Sequence, residues 1–248
     1  MEENLDIVFG RHPVVSALEE GRVLKLWLLQ GAGGTAVAEI IRLSKEKRVV
    51  FQWVDRRRLD QMAPGVVHQG VVGRVSVHRY QTLDDLFDRG DPSPLLVLDG
   101  ITDPHNLGAI IRNAAFFGAG AVLIPRWRAA GLSSVVDKAS AGTVGLVPVV
   151  QVSNTANTLL ELKERGYWIY GADAGGGLAS RCSFSTPFAL VIGAEGAGLH
   201  RLVRERCHDL VAIPGLLRPP LATTEKFGLN ASCACAALLY EIVRRGVS

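Results

Sequence analysis

Three short stretches in the second half of the chain combine polar side chains with glycines in a way that suits ligand binding. In "DPHNLGAIIRNAA", Asn106 precedes Arg112 by six residues, and in "GAEGAGL", glycines surround Glu195. The third stretch, residues 213–230, begins with an Ile-Pro pair and ends with a Leu-Asn pair. Amide, carboxylate and guanidinium groups orient ligands through hydrogen bonds, and glycines let backbone groups approach a ligand closely. Composition alone does not identify what such a site binds.

Each of these stretches follows a predicted strand. From Leu95 onward, apolar runs such as "LLVLDG", "AVLIP" and "FALVIG" alternate with segments of helical spacing. This alternation predicts a parallel α/β sheet, in which ligands bind beyond the carboxyl ends of the strands. Asn106 or a residue near it should cap the helix that follows. A further glycine-rich segment, "GADAGGG" (171–177), is predicted to be a flexible loop.

The N-terminal third has its own organisation. Strand-like runs such as "VLKLWLL" and "VVFQWV" alternate with helical segments, and the amphipathic "AVAEIIRLSKEK" is the longest of these. The pattern predicts a small α/β/α sandwich over residues 1–78. Residues 79–94 are acidic and close on two prolines, so we expect a linker with at most a short helix. The second domain should then span residues 95–248.

The composition is that of a soluble globular protein, with 48% hydrophobic and 21% charged residues. The formal net charge of +3 permits a nucleic-acid partner without arguing for one. No apolar run is long enough to cross a bilayer and no secretory pattern opens the chain, so we expect a cytoplasmic protein. The four cysteines lack zinc-type spacing. We therefore expect no metal site and interpret the thiols as small buried side chains.

The three stretches, in their order, resemble the three motifs of the SpoU (TrmH) family of RNA ribose 2′-O-methyltransferases, in the SPOUT superfamily. The matching segments are "DPHNLGAIIRNAAFFGA", "LVIGAEGAGL" and "IP…LNAS". In the N-terminal part, "VFGRHPVVSALEEG" and "DQMAPGVVHQGVVGRV" resemble the substrate-binding domain of the ribosomal members, which is similar to ribosomal protein L30e. The resemblance covers nearly the whole chain. It implies methylation of a ribose 2′-hydroxyl of RNA, most closely that of a guanosine in 23S rRNA.

The same resemblance implies a fold, a cofactor and a set of site residues. The C-terminal parallel α/β domain should contain a deep trefoil knot and should form a homodimer through this catalytic domain. The implied cofactor is S-adenosylmethionine, bound by backbone groups at Gly193, Ile213 and Leu229. The residues that match the family's catalytic positions are Arg112, Asn106, Glu195 and Asn230.

Two roles are compatible with an arginine at position 112. The ribose 2′-hydroxyl must lose its proton as it attacks the methyl group, and the family's proposal makes Arg112 the base. A free arginine keeps its own proton at physiological pH, so this role requires surroundings that disfavour its charge, such as burial beside the cationic sulfonium. Alternatively, Arg112 holds the phosphate or ribose and accelerates the reaction by alignment, which is our hypothesis. Asn106 should position Arg112 or the ribose, and Glu195 should fix the loops or the RNA.

RNA contacts are expected from basic residues in both domains. A solvated surface is the competing interpretation of such clusters, and for the basic run that begins at Arg56 we keep the two interpretations equal. Trp127 lies between two arginines and could contact a base. The predicted RNA-binding residues are Arg11, His12, Arg56, Arg126 and Arg128.

The third motif departs from the family pattern. Sixteen positions separate Ile213 from Leu229, which is longer than the family's loop, and Gly228 stands where the family has serine. We expect the extra residues to be displaced outward or to become ordered only with ligand. Two alternatives therefore stay open: an RNA-binding protein on a methyltransferase scaffold with weak or lost cofactor binding, and a tRNA 2′-O-methyltransferase. A Rossmann dehydrogenase is disfavoured because no predicted strand is followed by G-x-G-x-x-G.

Overall fold

The computed structural model describes residues 7–75, 80–215 and 228–246. The chain divides into two compact units. Unit 1 contains the residues up to Tyr80 together with Gly131–Val135. Unit 2 contains Gln81–Ala130 and the chain from Val136 onward.

The elements of unit 1 are β1 Ile7–Phe9, α1 Arg11–Glu19, β2 Val23–Leu29, α2 Thr35–Glu46, β3 Val50–Val54, α3 Arg56–Met62 and β4 Val71–Val75. The strands form one sheet in the order β1-β4-β2-β3, with helices on both faces. Strands β2 and β3 are parallel, whereas β4 runs antiparallel to β1 and β2. Leu26 and Leu28 of β2 pack against α1 and α2, and Trp27 and Leu29 pack with α3 on the other face. The sandwich expected from the sequence is therefore confirmed.

The elements that follow β4 are α4 Leu83–Phe87, β5 Leu95–Asp99, α5 Pro104–Phe117, β6 Ala121–Pro125, α6 Ser134–Ala139, β7 Val149–Val152, α7 Thr155–Glu164, β8 Trp168–Leu178, β9 Phe188–Gly193, α8 Arg201–Glu205, β10 Asp209–Ala212 and α9 Ala231–Arg244. Unit 2 is built on a six-stranded, entirely parallel sheet in the order β10-β8-β9-β5-β6-β7. The central strands β5 and β9 are almost completely buried, as continuous apolar runs in a parallel sheet require.

The segment "GADAGGG", which we expect to be a flexible loop, is part of β8 and pairs with β10. The prediction was wrong because its glycines have a packing role. A Cβ atom on Gly176 would stand 2.5 Å from the carbonyl carbon of Leu210. Only glycine lets β8 and β10 approach so closely. Glycines usually indicate a loop, but in this segment they permit a strand.

The linker expected at residues 79–94 is instead largely integrated into unit 2. It contains α4, whose first turn is closed by a reciprocal capping box between Thr82 and Asp85. Leu86 is buried in the core of unit 2, and the hydroxyl of Tyr167 donates a 2.7 Å hydrogen bond to the carbonyl of Pro92. These contacts anchor a segment whose acidic, proline-containing composition is typical of a linker.

The cysteines are free thiols whose environments differ. Cys235 is buried and Cys233 is exposed, as expected for two residues separated by one position on a helix. Burial raises the pKa of Cys235 to about 12 and that of Cys207 to about 11. Within the described ranges, no group of three His, Cys, Asp or Glu side chains is arranged to hold a metal ion. No helix in that part of the chain is both long and apolar enough to cross a membrane.

The tight packing of α5 on α6 gives a testable prediction. A Cβ atom on Gly108 would lie 2.6 Å from the Cβ of Ala139 and 2.8 Å from the carbonyl oxygen of Val136. We expect Gly108→Ala to lower the free energy of unfolding by about 1–2 kcal/mol in urea denaturation, because overpacking outweighs the ~1 kcal/mol gain in helix propensity. Gly145→Ala is the control, since a Cβ atom there meets nothing within 4 Å. Equal effects of the two substitutions would contradict this account.

Candidate active site

The first two motifs meet at the carboxyl edge of the unit 2 sheet. Strands β5 and β9 are neighbours, and their last residues, Asp99 and Gly193, are paired in register. Helix α5 follows β5, and the loop that carries Glu195 follows β9. The adjacency expected from the parallel topology is therefore present.

The helix cap of α5 is Asp103 and not Asn106. The two carboxylate oxygens of Asp103 accept hydrogen bonds from the backbone N–H groups of His105 (3.1 Å) and Asn106 (3.2 Å). Pro104 occupies the first turn, where its missing N–H costs nothing. Because Asp103 satisfies the free N–H groups, the side chain of Asn106 remains available for the site.

A single amide, the side chain of Asn230, joins the three motifs. Its Nδ2 atom donates to Oδ1 of Asn106 at 2.8 Å and to Oε2 of Glu195 at 3.1 Å. Its Oδ1 atom accepts from the backbone N–H and the hydroxyl of Ser232 at 2.9 and 2.6 Å, and thereby caps α9. The donors and the acceptor of Asn230 are thus all engaged, which fixes the orientation of the amide.

The loop that carries Glu195 is a tight turn held by its own backbone. Ala194 and Gly198 exchange hydrogen bonds of 3.2 and 2.8 Å, and Gly198 has a left-handed φ of 69°. A Cβ atom on Gly193 would lie 2.3 Å from the carbonyl carbon of Gly198. Glycine at position 193 is therefore required for the turn to fold back over the strand end, and this turn presents Glu195 to Asn230.

Arg112 lies on α5, six residues after Asn106 and about 9 Å further along the helix axis. Its side chain is exposed, and no hydrogen bond or ion pair links it to any residue that the structure describes. The structure thus brings together Asn106, Glu195 and Asn230 but leaves the guanidinium of Arg112 outside their network. The neighbouring Asn113 ties α5 to the start of α9 through a 3.0 Å hydrogen bond to the carbonyl of Ser232.

The three residues expected to contact the cofactor occupy different surroundings. Gly193 ends β9, and Leu229 precedes Asn230 with 55% of its surface exposed. Ile213 follows the end of β10, which β8 separates from β9. Gly228 is exposed, and the interior of the long loop, residues 216–227, lies outside the described residues. The expectation about its displacement falls on that segment.

Sequence reasoning missed an Asp–His pair at the same strand end. The carboxylate of Asp99 is buried and accepts from the backbone N–H of His200 at 2.7 Å and from its Nδ1 at 2.9 Å. The side chain of His200 is 70% exposed. A buried carboxylate needs such partners. The signal was present in the sequence, because Asp99 ends a buried strand and His200 follows the glycine-rich turn.

The five predicted RNA-binding residues form two groups. Arg11, His12 and Arg56 belong to unit 1 and line one cleft. Arg126 and Arg128 follow β6 in unit 2 and flank Trp127. The guanidinium of Arg126 lies 5.4 Å from the centre of the Trp127 ring, which is about half exposed.

Two family models match the chain. The SpoU rRNA methylase family matches residues 93–240, and the RNA 2′-O ribose methyltransferase substrate-binding domain matches residues 7–81. The chain belongs to the SpoU rRNA methylase family. It is therefore an enzyme, an RNA methyltransferase that acts on ribose 2′-hydroxyls, as its three motifs indicate.

Relatives of this SpoU methylase match along nearly their whole length. A Bacillus subtilis protein with the provisional name TrmH family tRNA/rRNA methyltransferase YacO is 40% identical, covering 99% of this chain and 98% of that protein. The 23S rRNA (guanosine-2′-O-)-methyltransferase RlmB of Shewanella oneidensis is 39% identical, with 97% of each chain covered. Among solved structures, the SpoU methyltransferase AviRb of Streptomyces viridochromogenes, in complex with AdoMet, matches with a TM-score of 0.60 and 26% identity, covering 97% of this chain and 90% of that one.

The two functions of Asn230, capping and bridging, can be separated by substitution. Serine caps helices about as well as asparagine but is too short to reach Asn106 and Glu195. Alanine can neither cap the helix nor form the bridge. We expect Asn230→Ser and Asn230→Ala to reduce methyl transfer equally, while only Asn230→Ala loses about 1 kcal/mol of stability. Methyl-transfer assays and urea denaturation measure the two effects. Full activity of Asn230→Ser would show that the bridge is dispensable.

Proposed function

We propose that this methyltransferase transfers the methyl group of S-adenosylmethionine to the 2′-hydroxyl of a guanosine in 23S rRNA. The observation that carries the proposal is the network through which Asn230 joins Asn106 and Glu195, because it assembles all three motifs at one edge of the sheet. The target follows from the name of the Shewanella relative, which matches over 97% of its length.

The residues at the carboxyl edge fit S-adenosylmethionine, which supplies the electrophilic methyl group. Gly196 and Gly198 have left-handed φ values, and a Cβ atom on either would meet nothing within 4 Å. This turn therefore exposes backbone groups that can hydrogen-bond to a ligand. The half-exposed Leu229 adds an apolar contact beside it. We propose that Gly193, Leu229 and Ile213 contact the cofactor.

Within this proposal, Arg112 is a positioning and binding group. An exposed guanidinium can hold a phosphate through two parallel hydrogen bonds, which orients the attached ribose. Asn106 and Glu195 are held by Asn230, so their remaining polar groups have fixed positions beside the reacting ribose. Alignment of this kind lowers the barrier without a strong base in the protein. The 2′-hydroxyl proton then passes to solvent or to a group on the substrate.

RNA contacts in unit 2 are proposed for Arg126, Trp127 and Arg128. They follow the carboxyl end of β6, on the edge that also carries the motifs at the ends of β5 and β9. A half-exposed indole with a guanidinium over its face is a stacking platform for a nucleobase, and the arginines supply phosphate contacts.

The remaining family features are also proposals for this chain. Residues 1–78 would be an L30e-like RNA-binding domain, and residues 95–248 would be the SPOUT domain with its deep trefoil knot. Homodimerisation through unit 2 is supported by exposed apolar side chains on its two packed helices α5 and α9, Phe116, Tyr240 and Val243. The cytoplasm is the proposed compartment, because the enzyme must reach ribosomal RNA.

A tRNA target is the second candidate function, because the name of the Bacillus relative includes both tRNA and rRNA.

A methyl-transfer assay distinguishes the two targets. Radiolabelled S-adenosylmethionine is supplied with unmodified 23S rRNA transcripts and, separately, with bulk unmodified tRNA. We expect label in the 2′-O-methylguanosine of the 23S transcript. Label in tRNA alone would support the second candidate, and absence of label with intact RNA binding would support the scaffold without catalysis.

Arg112 gives the sharpest test of the mechanism. Because its side chain is exposed and makes no hydrogen bond or ion pair with any described residue, we expect Arg112→Ala to leave stability and calorimetric S-adenosylmethionine binding unchanged. The rate of methyl transfer should fall at least about 100-fold, since alignment is lost. Arg112→Lys should recover little of this loss, because an ammonium cannot form the two parallel hydrogen bonds. Full activity of Arg112→Ala would exclude both the positioning role and the role as base.

A further inference from the structure

A cleft of about 780 Å³ opens in unit 1. It lies between the first turn of α1, the carboxyl end of β2, the start of α3 and the loop before β4, and every lining residue belongs to unit 1. Its volume is in the range of about 300–1,000 Å³ that is typical of small-ligand sites. The chemistry of its walls indicates what it can hold.

One wall is rigid because His68 is fully hydrogen-bonded. Its Nε2 is 2.9 Å from Oδ1 of Asp60, and its Nδ1 accepts from the backbone N–H of Gly70 at 3.0 Å. The Gly70 N–H can donate only to an unprotonated nitrogen, so the proton is on Nε2 and is donated to Asp60. His68 is buried and has no remaining group for a ligand. Its role is to fix the loop that carries the next residue.

That next residue, Gln69, presents hydrogen-bond donors to the cleft. Its φ is 52°, in the left-handed region that residues other than glycine rarely adopt. Its Oε1 accepts from the backbone N–H of Arg11 at 3.1 Å, and its carbonyl accepts from Nε of Arg11 at 3.4 Å. The oxygen of the amide is thus engaged, whereas its nitrogen makes no hydrogen bond to a described residue. Its two N–H donors are thus held in place without a partner among the described residues.

The rest of the lining is cationic and apolar. Arg11 and Arg56 contribute two positive charges, and the one carboxylate among the lining residues, Asp60, is already bonded to His68. Nε of Arg56 is 3.9 Å from Asp60, and its side chain is 78% exposed. Val67 lies at the surface with 81% of its area exposed, beside Val66. Guanidinium groups, amide donors and an apolar surface match a phosphate, a base edge and a base face respectively.

We propose that this cleft binds one unstacked nucleotide of the RNA substrate. The base lies against Val66 and Val67, its acceptor edge receives the amide donors of Gln69, and its flanking phosphates contact Arg11 and Arg56. This is a recognition nucleotide and not the methylated one, because the cleft contains none of the residues of the candidate active site. The inference rests on the proposed function, since it requires an RNA substrate.

The first test compares two arginines that are adjacent in α3. Arg56 lines the cleft and Arg57 does not, so Arg56→Ala and Arg57→Ala remove the same charge one residue apart. With the full-length protein and unmodified 23S rRNA transcript, we expect Arg56→Ala to raise Kd about tenfold and to reduce the salt dependence of binding by about one phosphate contact. Arg57→Ala should change Kd less than about twofold. Equal changes would identify a diffuse basic surface and would overturn the proposal.

The second test asks whether one nucleotide is involved. Abasic nucleotides are introduced singly around the target in an RNA fragment that the enzyme methylates. At one position outside the target, we expect an abasic site to raise Kd for the wild type about tenfold. The same abasic site should raise Kd no further in the Val67→Glu and Gln69→Asn variants. In those variants the interaction between the base and the cleft is already lost, so removing the base removes nothing more. Asparagine tolerates the left-handed conformation at position 69 and is too short to present the same donors.

The outcomes separate this inference from the proposed function. If methyl transfer at saturating RNA is preserved in these variants but no abasic position couples to them, the cleft proposal is wrong and the enzymatic function stands. If no RNA is methylated by the wild type, the proposed function itself is wrong. Urea denaturation of each variant verifies that a change in Kd does not arise from unfolding.

Discussion

The candidate active site depends on the side-chain amide of Asn230. Two donors and one acceptor, all engaged, connect a helix start after β5, a turn after β9 and the first turn of α9. These three segments are far apart in sequence, so ordering them carries an entropic cost that local structure does not offset. A network in which each polar group has a partner is rigid, whereas one missing partner leaves the others unsatisfied. The amide therefore connects formation of the last helix to formation of the site.

The sheet makes this connection possible. Because all six strands are parallel, every connection from β5, β6 and β9 starts at the same edge, and polar residues placed just after each strand converge there. The strands themselves are apolar and buried, so they provide rigid attachment points. Close approaches are permitted by glycines where a Cβ atom would meet backbone, as at Gly176 and Gly193. The glycines thus set distances between backbones, while the polar side chains set the chemistry.

The order of the elements and the convergence of the motifs could be predicted from the sequence. The spacing of apolar residues indicates which positions of a strand or helix are buried, and the spacing therefore identifies the elements. The sequence left the outcome open, or misled, where a residue has two possible uses. Asp103 and Asn106 can both cap a helix, and only the fold decides that Asp103 does so while Asn106 accepts from Asn230. The glycines of β8 look like a loop because their packing partner, β10, is distant in sequence. The Asp99–His200 pair was missed for the same reason.

In the proposed mechanism, the binding partner of Arg112 is the RNA substrate. The neighbouring polar groups are paired with one another, yet this guanidinium is exposed and has no partner in the described part of the chain. Because none of the described carboxylates holds this guanidinium, it can bind a phosphate without first breaking an ion pair with one of them. In the proposed mechanism, its hydrogen-bonding groups are therefore available to the RNA, and most of the alignment would be gained only when the correct phosphate binds. In the mechanism that we propose, the pre-organised amides and the arginine are complementary: the amides would define where the ribose lies, and the arginine would make its correct placement depend on the RNA backbone.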